Sequence, residues 1–336
     1  MTERPRLTPA VADVRRAVRE QLSVFPEGAL VLVALSGGPD SLALAAALAF
    51  EAPRAKLRAG AVIIDHGLQD GSDAVAQAAA VAAKTLGLDP VDIRRVEVVA
   101  GQGPEADARS ARYAGLEAVA GERGAAAVML GHTLDDQAET VLLGLTRGAG
   151  STSLSGMSPV SGIYLRPLLA IRRSETVAAC EDQGLVPWND PHNADSRFTR
   201  VRIRRDVMPV LEENLGPGVA EALARTADQL REDSAVLDAL AADVMPTIFV
   251  PMPSESSGEV TAALSIPELE GLAPALATRV IRRTALEVFG VSLSRSHTLS
   301  IHRLVTDWHG QSEVHVPGIR VERTGSRLVL RSAKNS

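Results

Sequence analysis

The stretch Ala29-Leu30-Val31-Leu32-Val33-Ala34-Leu35 runs straight into Ser36-Gly37-Gly38-Pro39-Asp40-Ser41, and a second apolar stretch, Leu42 to Glu51, follows at helical spacing. A short continuous apolar run reads as a strand buried on both faces, and a glycine-rich turn between it and a helix start leaves backbone N–H groups free. Such a turn cradles an anion. The glycines permit positive φ and close backbone approach, Ser36 and Ser41 add hydroxyls, and the helix dipole adds roughly 0.3–1 kcal/mol per nearby negative charge. No lysine follows as in G-x-x-x-x-G-K-[ST], and the spacing is not G-x-G-x-x-G.

The alternation continues on both sides. Val11 to Leu22 is helical; Gly60 to Asp65, Val96 to Val99 and Ala126 to Leu130 read as strands; Ser72 to Leu86, Glu105 to Glu122, Leu134 to Leu145 and Ile171 to Gln183 read as helices. Strands alternating with helices of ten to fifteen residues predict right-handed crossovers and an α/β fold with a doubly wound, mostly parallel sheet. Gly184 to Thr199, with Pro187, Trp188, Asn189, Pro191, Asn193 and Asp195, is loop chemistry, and Arg200 to Leu211 and Val219 to Met245 are helical again. Gly216-Pro217-Gly218 places a domain boundary near Leu215. Beyond the polar Ser254 to Gly258 loop, two helical stretches and three short strands around Val314, Val321 and Leu328 predict a smaller α+β domain over 216–336.

The 336 residues carry 35 basic and 41 acidic side chains, a net charge of −6, and one cysteine, Cys180. One cysteine excludes an intrachain disulfide framework, a zinc ribbon and a cysteine-ligated iron–sulfur cluster built from this chain alone, and points to the reducing cytoplasm. The amino terminus is broken by charges and does not read as a signal peptide. The longest uncharged apolar runs fall short of the ~20 residues a membrane span needs, so no membrane partner is expected. Lysine occurs only at Lys56, Lys84 and Lys334. Nearly all positive charge is therefore arginine, whose planar fork suits phosphate.

Three further groups carry chemistry. Asp65-His66-Gly67-Leu68 ends the second strand. His132-Thr133-Leu134-Asp135-Asp136-Gln137-Ala138-Glu139-Thr140 follows the Ala126 to Leu130 strand, with Thr133 and Asp136 in capping-box spacing and His132, Asp136 and Glu139 spaced to share a helix face. A histidine and carboxylates there can hold Mg²⁺ through water, steady a pyrophosphate or move a proton. Arg197, Arg200, Arg202, Arg204 and Arg205 form the densest positive cluster, and Arg320, Arg323, Arg327 and Arg331 are spread over the last strands. Trp308 and His309 are read as core.

The Ser36–Ser41 string resembles the SGGxDS signature of the PP-loop ATP pyrophosphatase superfamily. The His132–Thr140 string resembles the H-x-x-x-D-Q-x-E-T pattern of the tRNA(Ile)-lysidine synthetase family. With Asp65–Leu68, Arg166-Pro167-Leu168-Leu169, Asp190-Pro191-His192-Asn193 and Ala108-Arg109-Ser110-Ala111-Arg112-Tyr113 after Glu105, the resemblance covers about Ala29 to Leu215. It implies ATP and Mg²⁺ as cofactors, L-lysine and the CAU-anticodon tRNA(Ile) as partners, and a carboxyl-terminal tRNA-binding domain. The implied reaction adenylates O2 of the wobble cytidine, after which the amine of free lysine attacks C2 and AMP leaves.

It also implies a site of Ser36, Gly37, Gly38, Pro39, Asp40, Ser41, Asp65, His66, Arg109 and Arg112 for the nucleotide, with Asp40, His132, Asp136, Glu139 and Arg202 at the chemistry. Asp40 and Asp136 are the Mg²⁺ candidates. Asp136 either positions the lysine ammonium or takes its proton. The family's R-N-R-I-R reads Arg200-Val201-Arg202-Ile203-Arg204 here, without the asparagine. A homodimer is compatible with the sequence. The rival readings are a PP-loop tRNA thiolase, for which a lone cysteine is too few, an amide-forming synthetase, and a noncatalytic RNA-binding relative.

Overall fold

The computed structural model describes residues 7–67, 71–99, 101, 103–148, 150–188, 195–250 and 260–333. Leu68, Asn189, the Asp190–Asn193 string, the Ser254–Gly258 loop and Lys334 lie outside the described residues, as does the side chain of Glu105. The chain forms two compact units, one of residues up to 228 apart from 150–152, the other of residues 150–152 and 229–336. The division falls at Asp228, thirteen residues beyond the expected boundary at Leu215.

In the first unit α1 (Pro9–Leu22), β1 (Leu30–Ala34), α2 (Pro39–Glu51), β2 (Arg58–Asp65), α3 (Ser72–Thr85), β3 (Val91–Arg95), α4 (Pro104–Arg123), β4 (Ala127–Met129) and α5 (Leu134–Thr146) alternate as expected. A single turn, α6 (Ser151–Leu154), precedes β5 (Val160–Ser161) and β6 (Tyr164–Leu165). A 3₁₀ turn over Pro167–Ala170 then leads into α7 (Arg173–Asp182). The sheet order is β3-β2-β1-β4-β6-β5, parallel except for β5.

Alternate side chains of β1 go to opposite layers, as a pleated strand requires. Val31 and Val33 pack with α1, α2, α3 and α7; Leu30 and Leu32 pack with Leu116 and Val119 of α4 and with Tyr164. Gly60 of β2 is fixed by space, because a Cβ there would lie 2.5 Å from the Pro90 carbonyl oxygen.

The third strand lies at Val91–Arg95 rather than Val96–Val99. It is an edge strand, and an edge tolerates charge. Asp92 pairs with Arg123 and Arg94 with Glu122, so the strand lacks the apolar run that marks β1. The Arg200 to Leu211 helix is three pieces in continuous succession: α8 (Thr199–Arg202), a π-helical turn over Ile203–Val207, and α9 (Met208–Leu215). α10 runs from Val219 to Ile248.

The second unit holds a five-stranded antiparallel sheet, β7 (Phe249–Val250), β8 (Thr261–Ser265), β9 (Val314–Val316), β10 (Ile319–Thr324) and β11 (Arg327–Ser332), in the order β7-β8-β11-β10-β9. Helices α11 (Ile266–Glu270), α12 (Pro274–Phe289) and α13 (Arg295–Thr306) share its core through Leu269, Val280, Ile281, Ile301 and Leu304. Trp308 is 36% exposed and His309 is exposed, so neither is core. The Arg323 guanidinium lies 5.6 Å from the Trp308 ring centroid and donates to the carbonyls of Leu304 and Val305. Arg331 pairs with Glu322, and Arg327 is exposed. No helix among the described residues is long and apolar enough to cross a membrane.

Candidate active site

β1 lies between β2 and β4, and the chain proceeds from it toward β3 on one side and toward β6 on the other. A crevice opens outside the carboxyl ends of parallel strands at such a switch point. Residues 36–41 form one lip. Gly37 has φ +87°, and its carbonyl accepts the Trp188 N–H at 2.9 Å. Gly38 has φ −71°, so of the two glycines only Gly37 needs the left-handed region. The Ser36 and Ser41 hydroxyls lie 3.0 Å apart, and Ser41 donates to the Gly38 carbonyl, which closes the loop on itself. The carbonyl of Pro39 accepts the thiol of the buried Cys180 at 3.4 Å.

Gly131 brings the two motifs together. A Cβ at that position would lie 3.0 Å from Ser41 N and 3.1 Å from the Asp40 carbonyl carbon, both backbone atoms. Only glycine lets the end of β4 press on the first turn of α2. The amino ends of α5 and α7 then cap each other. Leu134 N–H donates to the Ile171 carbonyl at 2.9 Å, and Arg173 N–H donates to Asp135 Oδ2 at 2.7 Å.

The acidic half of the site follows from that mutual cap. The Arg173 Nε is 3.2 Å from Asp40, its Nη2 is 2.6 Å from Asp136, and its Nη1 is 3.5 Å from Glu139. Thr176, fully buried, donates to the other Asp40 oxygen. Arg204 Nε donates to the buried Glu139 at 2.7 Å and its Nη2 lies 3.4 Å from Asp136. Burial lifts the Asp40 carboxyl above its ordinary pKa, with Arg173 and Thr176 opposing. Burial also works against the Asp136 charge, yet Arg173 and the Thr133 N–H outweigh it and hold Asp136 below the usual carboxylate range. The Arg173 guanidinium is held charged: Asp136, Asp40 and Glu139 outweigh its desolvation and raise its pKa.

The other half is basic. Among the described residues, His66 Nδ1, His132 Nδ1, Arg112 Nε and Arg166 Nε are buried and have no hydrogen-bond partner. His66, His132 and Arg166 follow β2, β4 and β6, and the charges of Arg109, Arg112 and Arg166 all act on His132. Burial pushes the His132 imidazole down to about 3, so it is neutral at neutral pH. His66 is lowered first by burial and then by Arg112, and the Arg112 guanidinium is itself lowered by burial. Arg109 and Arg112 lie 4.9 and 5.5 Å from the centroid of the Tyr113 ring, and Arg109 donates to its hydroxyl at 3.2 Å. Buried, unpartnered guanidinium nitrogens such as Arg112 Nε and Arg166 Nε are what a polyanion satisfies.

Most of the expected residues converge, with exceptions. His132 precedes Thr133, the α5 cap, so it is not on the helix face, although its imidazole still feels Asp136. Asp65 accepts from the Ser72 hydroxyl and the Gly67 N–H, which hold its carboxyl low and make it the brace of the strand-end turn. Arg202 is exposed and donates to the Ser196 and Arg197 carbonyls and the Thr199 hydroxyl. Arg204 is the arginine of that cluster that reaches the acids. Val201, in place of the asparagine, is buried. Arg173, Thr176 and Gly131 were not singled out in the sequence. Gln137 of the motif is structural: its amide bridges the backbone N–H and carbonyl of Met157 at 2.7 and 3.0 Å.

Carboxylate oxygens are hard donors suited to Mg²⁺, and Asp40, Asp136 and Glu139 already turn toward one cation, Arg173. Among the described residues no group of three or more side chains forms a metal cage. Mg²⁺ ordinarily takes one or two carboxylates and completes its shell with phosphate and water.

The PP-loop domain family matches residues 12–211, and the TilS substrate binding domain matches residues 264–329. The chain is 55% identical over 303 residues to the tRNA(Ile)-lysidine synthase of Leifsonia xyli subsp. xyli, covering 90% of each chain. It is 50% identical to that of Thermobifida fusca, over 97% of this chain and 98% of the relative, and 49% identical to that of Streptomyces coelicolor, over 93% and 88%. Among solved structures, the U34-tRNA thiolase NcsA from Methanococcus maripaludis with its 4Fe-4S cluster shares the fold, with a TM-score of 0.55 and 21% identity over 66% of this chain and 80% of that one. A phosphate loop and an acidic helix at one sheet switch point, together with relatives matched nearly end to end, show that the chain belongs to the tRNA(Ile)-lysidine synthase family.

Proposed function

We propose that the chain ligates L-lysine to C2 of the wobble cytidine of a CAU-anticodon tRNA(Ile), at the expense of ATP, through a cytidine adenylated on O2. The observation that carries this reading is the juxtaposition of a basic half made for polyphosphate with an acidic half made for an amine, with His132 of the one in electrostatic reach of Asp136 of the other. Attack of O2 on the α-phosphorus builds charge on the departing pyrophosphate. Backbone N–H groups of Gly37, Gly38, Asp40 and Ser41 and the guanidinium of Arg112 stabilise that charge without reorganising. Mg²⁺ on Asp40 would add charge neutralisation at the phosphates.

Asp136 and Glu139, close by, orient the lysine amine, and the neutral His132 can take the proton the amine sheds as it attacks C2. A cavity of about 180 Å³ adjoins Glu139 and Arg204. Its walls carry Asp135 and Glu212 for an ammonium, Arg172 for a carboxylate, and Met208 and Pro209 for an aliphatic stem, which suits a free amino acid. The exposed arginines of the second unit hold tRNA phosphates.

The thiolase fold neighbour does not redirect the reading. One cysteine, buried against Pro39, cannot hold a cluster whose irons need several thiolates. The test is mass analysis of tRNA incubated with enzyme, ATP and isotopically labelled lysine. One labelled lysine on the anticodon nucleoside is expected, with AMP and pyrophosphate released only when both tRNA and lysine are present. Pyrophosphate released without either, or no label on the tRNA, overturns the assignment.

A further inference from the structure

Among the described residues, Arg173 is the one side chain that touches Asp40 of the phosphate loop and both Asp136 and Glu139 of α5, spending a different nitrogen on each. Three carboxylates within reach of one guanidinium would repel one another without it, and the planar fork is the side chain able to serve three at once. Its backbone is fixed by Asp135, so the guanidinium is delivered from a rigid helix start. The contact with Asp40, at 3.2 Å through Nε, is longer than that with Asp136, at 2.6 Å through Nη2.

We propose that Arg173 is a positioning residue, the resident counter-cation of the acidic half, and that a divalent cation arriving with nucleotide displaces it from Asp40 while it stays on Asp136. The inference rests on the metal use proposed above. It adds that the nucleotide-free protein keeps its metal site closed with its own guanidinium, so that metal and nucleotide enter together.

The test is direct Mn²⁺ binding to the full chain, by calorimetry or electron paramagnetic resonance, without nucleotide. Arg173→Gln removes the competitor and leaves Asp40 without its counter-cation, while Arg204 stays on Glu139 and Asp136, so Mn²⁺ is expected to bind about tenfold tighter or more than to the unmodified protein. Arg173→Lys keeps a charge but reaches fewer carboxylates and should fall between the two. That variant decides the matter if the glutamine variant does not fold. In turnover, Arg173→Gln should lower kcat while shifting the Mg²⁺ requirement to lower concentration, a pairing that general loosening of the site does not produce. Equal nucleotide-free Mn²⁺ affinity in all three proteins overturns the role of Arg173. An unmodified protein that binds no Mn²⁺ even with ATP overturns the metal reading itself.

Discussion

Asp136 divides its carboxylate between two tasks: Oδ2 accepts the Thr133 N–H and hydroxyl at 2.8 and 2.9 Å, while Oδ1 faces Arg173 at 2.6 Å. The sequence presents helix capping and a place in the site as alternatives, yet one oxygen of this residue caps α5 while the other is turned to Arg173. Asp136→Ala should therefore stop lysidine formation and also cost about 1 kcal/mol of stability. Asp136→Asn keeps a capping acceptor and should lose activity with little stability change. Denaturant unfolding beside labelled-lysine incorporation separates the two effects.

Removing Arg204 leaves Glu139, 1% exposed, with only the longer contact to Arg173. Breaking a buried pair from one side is costly, so Arg204→Ala should destabilise by about 3 kcal/mol. Adding Glu139→Gln should return part of that loss. A thermodynamic double-mutant cycle measures the coupling, and additivity would show the pair to be inert.

Gly131→Ala places a methyl group against backbone that cannot turn aside. The expected cost is about 1–3 kcal/mol, as for overpacking, with the phosphate loop displaced and KM for ATP raised. Gly38→Ala, whose nearest neighbour would be the Ser36 hydroxyl at 3.7 Å, should be much milder in both assays.

Glu212 accepts the N–H groups of Gly218, Val219 and Ala220 at the start of α10. Burial opposes its charge, but these three donors win and hold its pKa below the ordinary 4.5. A depressed folded-state pKa contributes stability that is full above the unfolded value and disappears as pH falls through the folded one. Glu212→Gln should lose about 1 kcal/mol at neutral pH, as a lost cap does, and the difference from the unmodified protein should shrink as pH falls below 4.5 and through the lowered folded-state value. Thermal melts across pH 3 to 7 are the measurement.

Affinity for tRNA should fall with salt, log K losing roughly 0.7–0.9 per phosphate contact for each unit of log concentration. Arg327→Ala, which removes an exposed and unburdened charge, should reduce that slope more than Arg331→Ala, whose charge Glu322 already engages. Equal slopes for the two variants would place the RNA on another face.

What the sequence made legible is what local pattern encodes. The buried β1 run, the turn after it, and the α5 motif are contiguous strings, and each fixes its element without help from elsewhere. β3 was displaced because an edge strand with Asp92, Arg94 and Arg95 carries no apolar run. β5 and β6, at two residues each, are too short to show a period. The site's long-range partners were invisible for another reason. Arg173 meets Asp40 across 133 residues and Arg204 meets Glu139 across 65, and no spacing rule reports such a pairing. Gly131 carried a faint signal, a glycine directly between a strand and its motif histidine, which close backbone approach explains only once α2 is in place.

Cys180 is the sole sulfhydryl of the chain, is fully buried, and burial together with Asp40 lifts its ionisation to about 11. Maleimide and spin-label reagents are attacked by thiolate, so this position should stay silent toward them at neutral pH. A cysteine introduced on any outer helix becomes the single reactive handle, and distance measurements during a catalytic cycle can be made without first stripping native thiols from the protein.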